Sequence, residues 1–154
     1  MPGGEGVAMT LPARRGDTSA DDAAAHAAVA RTILTTRQAD LVRQVLAVAR
    51  EETGLWFSLF IGPLSGDVRK EARRLHAALG ERADEAVLIV VEPVERQVEV
   101  VTGRTAAQRL DDHAAGLAAL SMATAFSGGD LVGGIVTGIR MLAEAAARPP
   151  IVRG

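Results

Sequence analysis

Ala86-Val87-Leu88-Ile89-Val90-Val91 is apolar throughout and dominated by β-branched side chains. Such a short, continuous run reads as a strand buried on both faces of a sheet. A second run of the same kind lies upstream, Leu55-Trp56-Phe57-Ser58-Leu59-Phe60-Ile61, bounded by Gly54 and by Gly62-Pro63. Two doubly buried strands need helices on both sheet faces. The sequence between them supplies one, opening near Ser65 or Asp67 and running to Leu79, where Gly80 stops it. Its Val68, Ala72, Leu75 and Leu79 recur at helical spacing.

Working outward, Glu92-Pro93-Val94-Glu95-Arg96 reads as a turn, and Gln97 to Thr102 partly alternates. That pattern predicts a strand nearer the edge, paired antiparallel through a short hairpin. Upstream, Thr35 or Thr36 caps a helix whose apolar face is Leu41, Val42, Val45, Leu46 and Ala49. Thr35 with Gln38 has capping-box spacing, and Gly54 suits a left-handed C-cap. Downstream, one helix runs from Asp111 or Asp112 to Phe126, with Leu117, Leu120 and Thr124 taken as its apolar side. A last helix runs from Asp130 to about Ala146 with Leu131, Ile135, Ile139 and Leu142 in register, and Pro149-Pro150 ends it. The expected fold is α/β, a mixed sheet sandwiched between helices in the order αβαββαα.

The domain is expected over residues 34–147. Residues 1–33 are rich in Gly, Ala and Asp and offer almost nothing to bury, so they read as a disordered N-terminal tail. Residues 148–154 read as a short C-terminal tail. The sequence has 154 residues, 23% of them charged, and a net charge of −2, which leaves no basic footprint for nucleic acid. One tryptophan, three phenylalanines and no tyrosine leave few platforms for stacking bases. The absence of cysteine excludes disulfides, thiolate metal sites and cysteine nucleophiles. No apolar segment follows the N-terminal charges, and Leu131 to Ile139 is far shorter than a membrane span of about 20 residues. The expectation is a cytoplasmic protein without membrane insertion.

The order of these elements and several local motifs resemble the TPM domain. That family includes a thylakoid photosystem-repair protein with weak acid-phosphatase activity, and bacterial relatives. The matching pieces are Phe60-Ile61-Gly62, then Asp84-Glu85-Ala86 leading into the strand that ends at Val91, and Val98 through Gly103. Leu110-Asp111-Asp112 and Phe126-Ser127-Gly128-Gly129-Asp130 complete the set, spread over roughly residues 36 to 145. Three features depart from the family pattern. There is neither a signal peptide nor a membrane helix, Asp84-Glu85-Ala86 stands for the usual Asp-Asn-Gly, and Leu131 stands for an aromatic residue. The chain therefore resembles a cytosolic, uncharacterised branch of that family.

The resemblance implies a divalent-cation site, Ca²⁺ or Mg²⁺, at Asp84, Asp111 and Asp130, since hard cations take carboxylate oxygens. Read from the residues alone, Asp111 or Asp112 and Asp130 sit where helices begin, capping is the favoured role for Asp130, and Asp84 equally suits a solvated loop. There is no D-x-D-x-D-G loop to support calcium independently. Gly128 and Gly129, before a helix, form either an anion-binding backbone turn or a purely structural one. Gly134 and Gly138 form a G-x-x-x-G that fits close packing within a protein. Arg69, Lys70, Arg73 and Arg74 make a basic helix face that could meet an acidic partner. His113 beside Asp112 lacks any nucleophile motif such as G-x-S-x-G. Two functions are carried: a non-catalytic interaction or regulatory module with a protein partner, and a weak metal-dependent phosphomonoesterase.

Overall fold

The computed structural model describes residues 9–11 and 34–148, with side chains from 34 onward. Its elements are β1 (Met9–Leu11), α1 (Thr36–Thr53), β2 (Trp56–Ile61), α2 (Val68–Ala77), β3 (Ala86–Glu92), β4 (Gln97–Thr102), α3 (Asp112–Ser127) and α4 (Leu131–Ala147). Short 3-10 turns at Gly80–Glu85 and Ala106–Gln108 join them. From α1 onward this is the αβαββαα order that the hydrophobic patterning predicts. The sheet order is β1-β2-β3-β4, antiparallel, parallel and antiparallel in turn. Reading residues 1–33 as a tail leaves no place for β1, which pairs Met9 to Leu11 with Ile61 to Leu59. The rest of that segment, and residues 149–154 of the expected C-terminal tail, lie outside the described residues.

Alternation along the strands sorts two cores. Phe57, Leu59, Ile61, Val87, Ile89 and Val91 face a large cluster formed with α1, α3 and α4. Phe60, Leu88 and Val90 face the opposite side, where Ala72, Leu75 and Leu79 cover them. One helix therefore covers one face and a three-helix layer covers the other, with α4 packed against both α1 and α3.

The helix boundaries follow from capping chemistry. At α1 the Thr35 hydroxyl accepts from the Gln38 N–H while the Gln38 side chain accepts from the Thr35 N–H, a complete capping box. Gly54 closes that helix at φ 75, in the left-handed region. Asp67 caps α2, its carboxylate accepting from the N–H groups of Arg69 and Lys70.

One assignment needs correction. The apolar stripe Leu117, Leu120, Thr124 does not face the core: Leu117 is 47% and Leu120 64% exposed. The buried face of α3 is Ala115, Ala118, Met122 and Phe126. Both stripes have helical period, so periodicity alone cannot choose between them. Packing decides: β4 and α4 cover the stripe that carries Ala118, Met122 and Phe126, which leaves Leu117 and Leu120 on the outer side.

Trp56, the only tryptophan, lies beneath two guanidinium groups, with Arg50 4.5 Å and Arg82 3.9 Å from the ring centroid. Arg50 also donates from Nε and Nη2 to the Phe57 carbonyl, beyond the part of β2 that β1 covers. The indole therefore reports on the packing of α1 against the sheet.

Candidate interaction surfaces

Asp111 accepts from the Ala114 N–H and caps α3, and Asp130 accepts from the Gly133 N–H and caps α4. Asp84 sits at the end of a 3-10 turn with Arg104 3.9 Å away. Among the described residues no three carboxylate or imidazole groups converge to hold a metal ion. Asp111 and Asp130 thus serve the starts of two different helices. Asp112 and His113 begin α3 exposed. Millimolar Ca²⁺ or Mg²⁺ should leave the amide resonances of residues 84, 111 and 130 unmoved in a two-dimensional NMR titration. Saturable shifts clustered at those three positions would restore a metal site.

The glycine turn is equally occupied. Gly128 N–H donates to the Thr124 and Ala125 carbonyls, and Gly129 N–H to Phe126. Gly129 takes φ 88, which favours glycine. These donors close the end of α3, so they are not free to cradle an anion.

At the carboxyl ends of the parallel strands β2 and β3, where α/β folds commonly bind ligands, the space holds Glu92. Its buried carboxylate accepts from the N–H groups of Leu64, Val94 and Glu95. It ties the loop after β2 to the β3–β4 hairpin, where Arg96 adopts φ 56.

Arg109 was invisible in the sequence, since nothing local marks it. Its guanidinium donates from Nε and Nη2 to the Ala146 carbonyl and from Nη1 to the Thr53 carbonyl. One cation thereby caps the C-terminal ends of both α1 and α4. Arg109→Ala should cost about 2 kcal/mol, in the range for hydrogen bonds to a charged group. Arg109→Lys should not recover it, because an ammonium cannot span both carbonyls in a fork. Urea titration followed by Trp56 fluorescence measures both.

The four basic residues of α2 divide. Arg74 is engaged by Glu71 at 2.8 Å, and the pairing lowers the Glu71 pKa and raises that of Arg74. Arg69 and Arg73 instead line a groove of about 360 Å³ between α2 and α3, over β4. Lys70 lies exposed beside them.

An opening of about 820 Å³ runs between α1 and α4. Leu41, Val45, Val48, Ala49, Ile139 and Ala143 make its apolar lining, with Glu52, Arg140, Glu144 and Arg148 contributing charges of both signs. Leu41 is 42% and Val48 46% exposed. A neighbouring opening of about 710 Å³ between α3 and α4 includes Leu117 and shares Glu144 and Arg148. Of the five exposed large hydrophobic side chains among the described residues, four lie on α1 and α3, flanking α4. The fifth, Val94, is at the hairpin tip.

Helix caps and apolar grooves are the salient surface features of this small α/β domain among the described residues. The chain belongs to the family described as Domain of unknown function (DUF5130), which it matches over residues 6–143. It is 34% identical over 93 residues to an uncharacterised protein of Mycobacterium tuberculosis, found in both the H37Rv and the CDC 1551 strains. Those 93 residues are 59% of this chain and 54% of the relatives, so the match spans about half their length. The fold is similar to the solution NMR structure of the N-terminal domain of a protein from P. gingivalis. That likeness has a TM-score of 0.65 at 18% identity and covers 73% of this chain and 75% of the other. No described helix is long and apolar enough to cross a membrane.

Proposed function

We propose that this domain is a non-catalytic interaction module that seats an amphipathic helix of a partner protein in the groove between α1 and α4. The observation that carries this reading is the concentration of exposed aliphatic side chains on the helices beside α4. Partly exposed Leu41 and Val48 lie one above the other at i and i+7, a spacing suited to the anchors of a docked helix. Charges of both signs around the groove suit a partner whose polar face is also mixed. The TPM resemblance enters this reading as kinship of fold. Its phosphatase chemistry would need carboxylates brought to one ion, whereas Asp111 and Asp130 cap separate helices and Asp84 lies at a 3-10 turn beside Arg104.

The test is a photo-crosslinking side chain placed at Val48 of the full chain in its native cells. A discrete adduct with one protein is expected, absent when Leu41→Lys is added and absent from the same probe at Arg104. Equal labelling at Val48 and Arg104, or labelling indifferent to Leu41→Lys, would overturn the proposal.

A further inference from the structure

The two edges of the sheet are treated differently. One is closed by β1, which lies antiparallel on β2. The other is β4, and no strand among the described residues pairs with its outer side. The Gly103 N–H donates to the Ala86 carbonyl, so residues 97, 99, 101 and 103 turn their backbone groups toward β3. Those of Val98, Val100 and Thr102 consequently point outward. The Gly62 N–H bond to the Val91 carbonyl fixes the complementary parity of β3 independently. No described backbone or side-chain group takes up the outward N–H and C=O of Val100 and Thr102.

This edge is not a bare rim. Glu99 to Thr102 form the floor of the groove between α2 and α3. The α3 wall is Ala115, Gly116 and Ala119, small enough to admit a bulky side chain. Arg69 and Arg73 stand over the edge from α2, one helical turn apart, and neither forms an ion pair among the described residues. Glu99 lies on the α2 side of the sheet and Asp112 at the start of α3, so the α2 wall keeps an excess of positive charge.

We infer that the β4 edge is a second docking site, which takes an extended acidic segment of a partner protein by strand addition. The incoming backbone pairs with Val98, Val100 and Thr102, over about 13 Å of strand. Alternate side chains of the segment then point to opposite walls. Carboxylates meet Arg69 and Arg73, and aliphatic or aromatic groups fill the space against Ala115, Gly116 and Ala119. The orphan backbone groups supply affinity that is indifferent to sequence, and the two walls supply the preference. The site rests on backbone parity and arginine placement, independently of the α1–α4 groove.

The experiment is an NMR titration of the full chain with eight-residue peptides alternating Glu with Val, Ile, Leu or Phe. Peptides carrying Lys in place of Glu are the controls. Saturable shifts at the Val98, Val100 and Thr102 amides are expected with at least one acidic peptide. Those amides should also exchange at least tenfold more slowly with solvent in the complex. Binding should weaken at least tenfold with the Lys peptides and with Arg69→Glu/Arg73→Glu. Gly116→Leu gives a second, fold-neutral block: nothing lies within 4 Å of a Cβ built there, and leucine is the better helix former. It should abolish binding while the melting temperature holds or rises. Absence of shifts with every acidic peptide at millimolar concentration would overturn the inference. So would equal binding of the Lys series, or shifts confined to α1 and α4.

Discussion

Gly103→Val is expected to leave little folded protein. Gly103 follows β4 and crosses over the end of the 3-10 turn before β3. A Cβ there would sit inside the van der Waals envelope of the Ala83 carbonyl oxygen and within 2.6 Å of the Asp84 carbonyl carbon. Overpacking costs about 1–3 kcal/mol where side chains can give way. Here the obstacle is backbone, itself held by the Thr105 N–H bond to the Asp84 carbonyl and the Gly103 N–H bond to Ala86. Relief therefore means unpairing the end of the β3–β4 ladder. A loss of ~3 kcal/mol or more would consume much of a typical domain stability of about 5–15 kcal/mol. Even Gly103→Ala should shift the urea midpoint of Trp56 fluorescence far downward. Gly116→Ala is the control, with open space at its Cβ, and should gain about 0.5–1 kcal/mol from helix propensity.

Gly138→Val should produce the second large loss, about 3 kcal/mol. A Cβ at Gly138 falls 2.5 Å from both Cγ and Sδ of Met122, and one at Gly134 falls 2.8 Å from the Ala125 Cβ. The G-x-x-x-G of α4 is thus the seam where α3 and α4 meet. Met122 is fully buried, so it cannot swing outward without opening the core. Combining Gly138→Ala with Met122→Ala should restore part of the loss, since the smaller side chain vacates the contested space. Thermal denaturation of the two single variants and the pair measures this coupling. Failure of the pair to recover stability would mean that the helices are not held by that contact.

Most of the fold was legible because the strands are doubly buried and the helices are capped by their own sequence. Ala86 to Val91 admits few readings other than a central strand, and the Thr35 or Thr36 cap places the start of α1 to within one residue, with Thr35 proving to be the cap. Gly134 and Gly138 signalled close packing, and Met122 and Ala125 prove to be what they pack on. The misreading of Leu117 and Leu120 has a physical cause. Sequence gives the period of an amphipathic stripe but not which of two such stripes the neighbouring elements cover, and β4 and α4 cover the one with Ala118, Met122 and Phe126. β1 was missed because a three-residue strand has no periodicity to detect.

The surfaces were much less legible. Arg69 and Arg73 were found as part of a basic run, but only packing separates them from Arg74, which Glu71 neutralises. The open edge depends on the hydrogen-bonding parity of β4, which alternation of side chains does not reveal. Arg109 joins carbonyls 56 and 37 residues away in sequence, beyond any local pattern. The aspartates are ambiguous in the sequence, since a residue type suited to metal chemistry is also suited to helix caps, and Asp111 and Asp130 do cap helices.

The most direct test of the interaction reading is methyl NMR in the presence of a soluble paramagnetic chelate, with and without the partner captured at Val48. In the free chain the methyl groups of Leu41, Val48, Leu117, Leu120 and Val94 should all relax quickly, because all five side chains are exposed. In the complex, Leu41 and Val48 are predicted to become protected while Val94 stays accessible. Undiminished relaxation at Leu41 and Val48 in a saturated complex would contradict docking between α1 and α4.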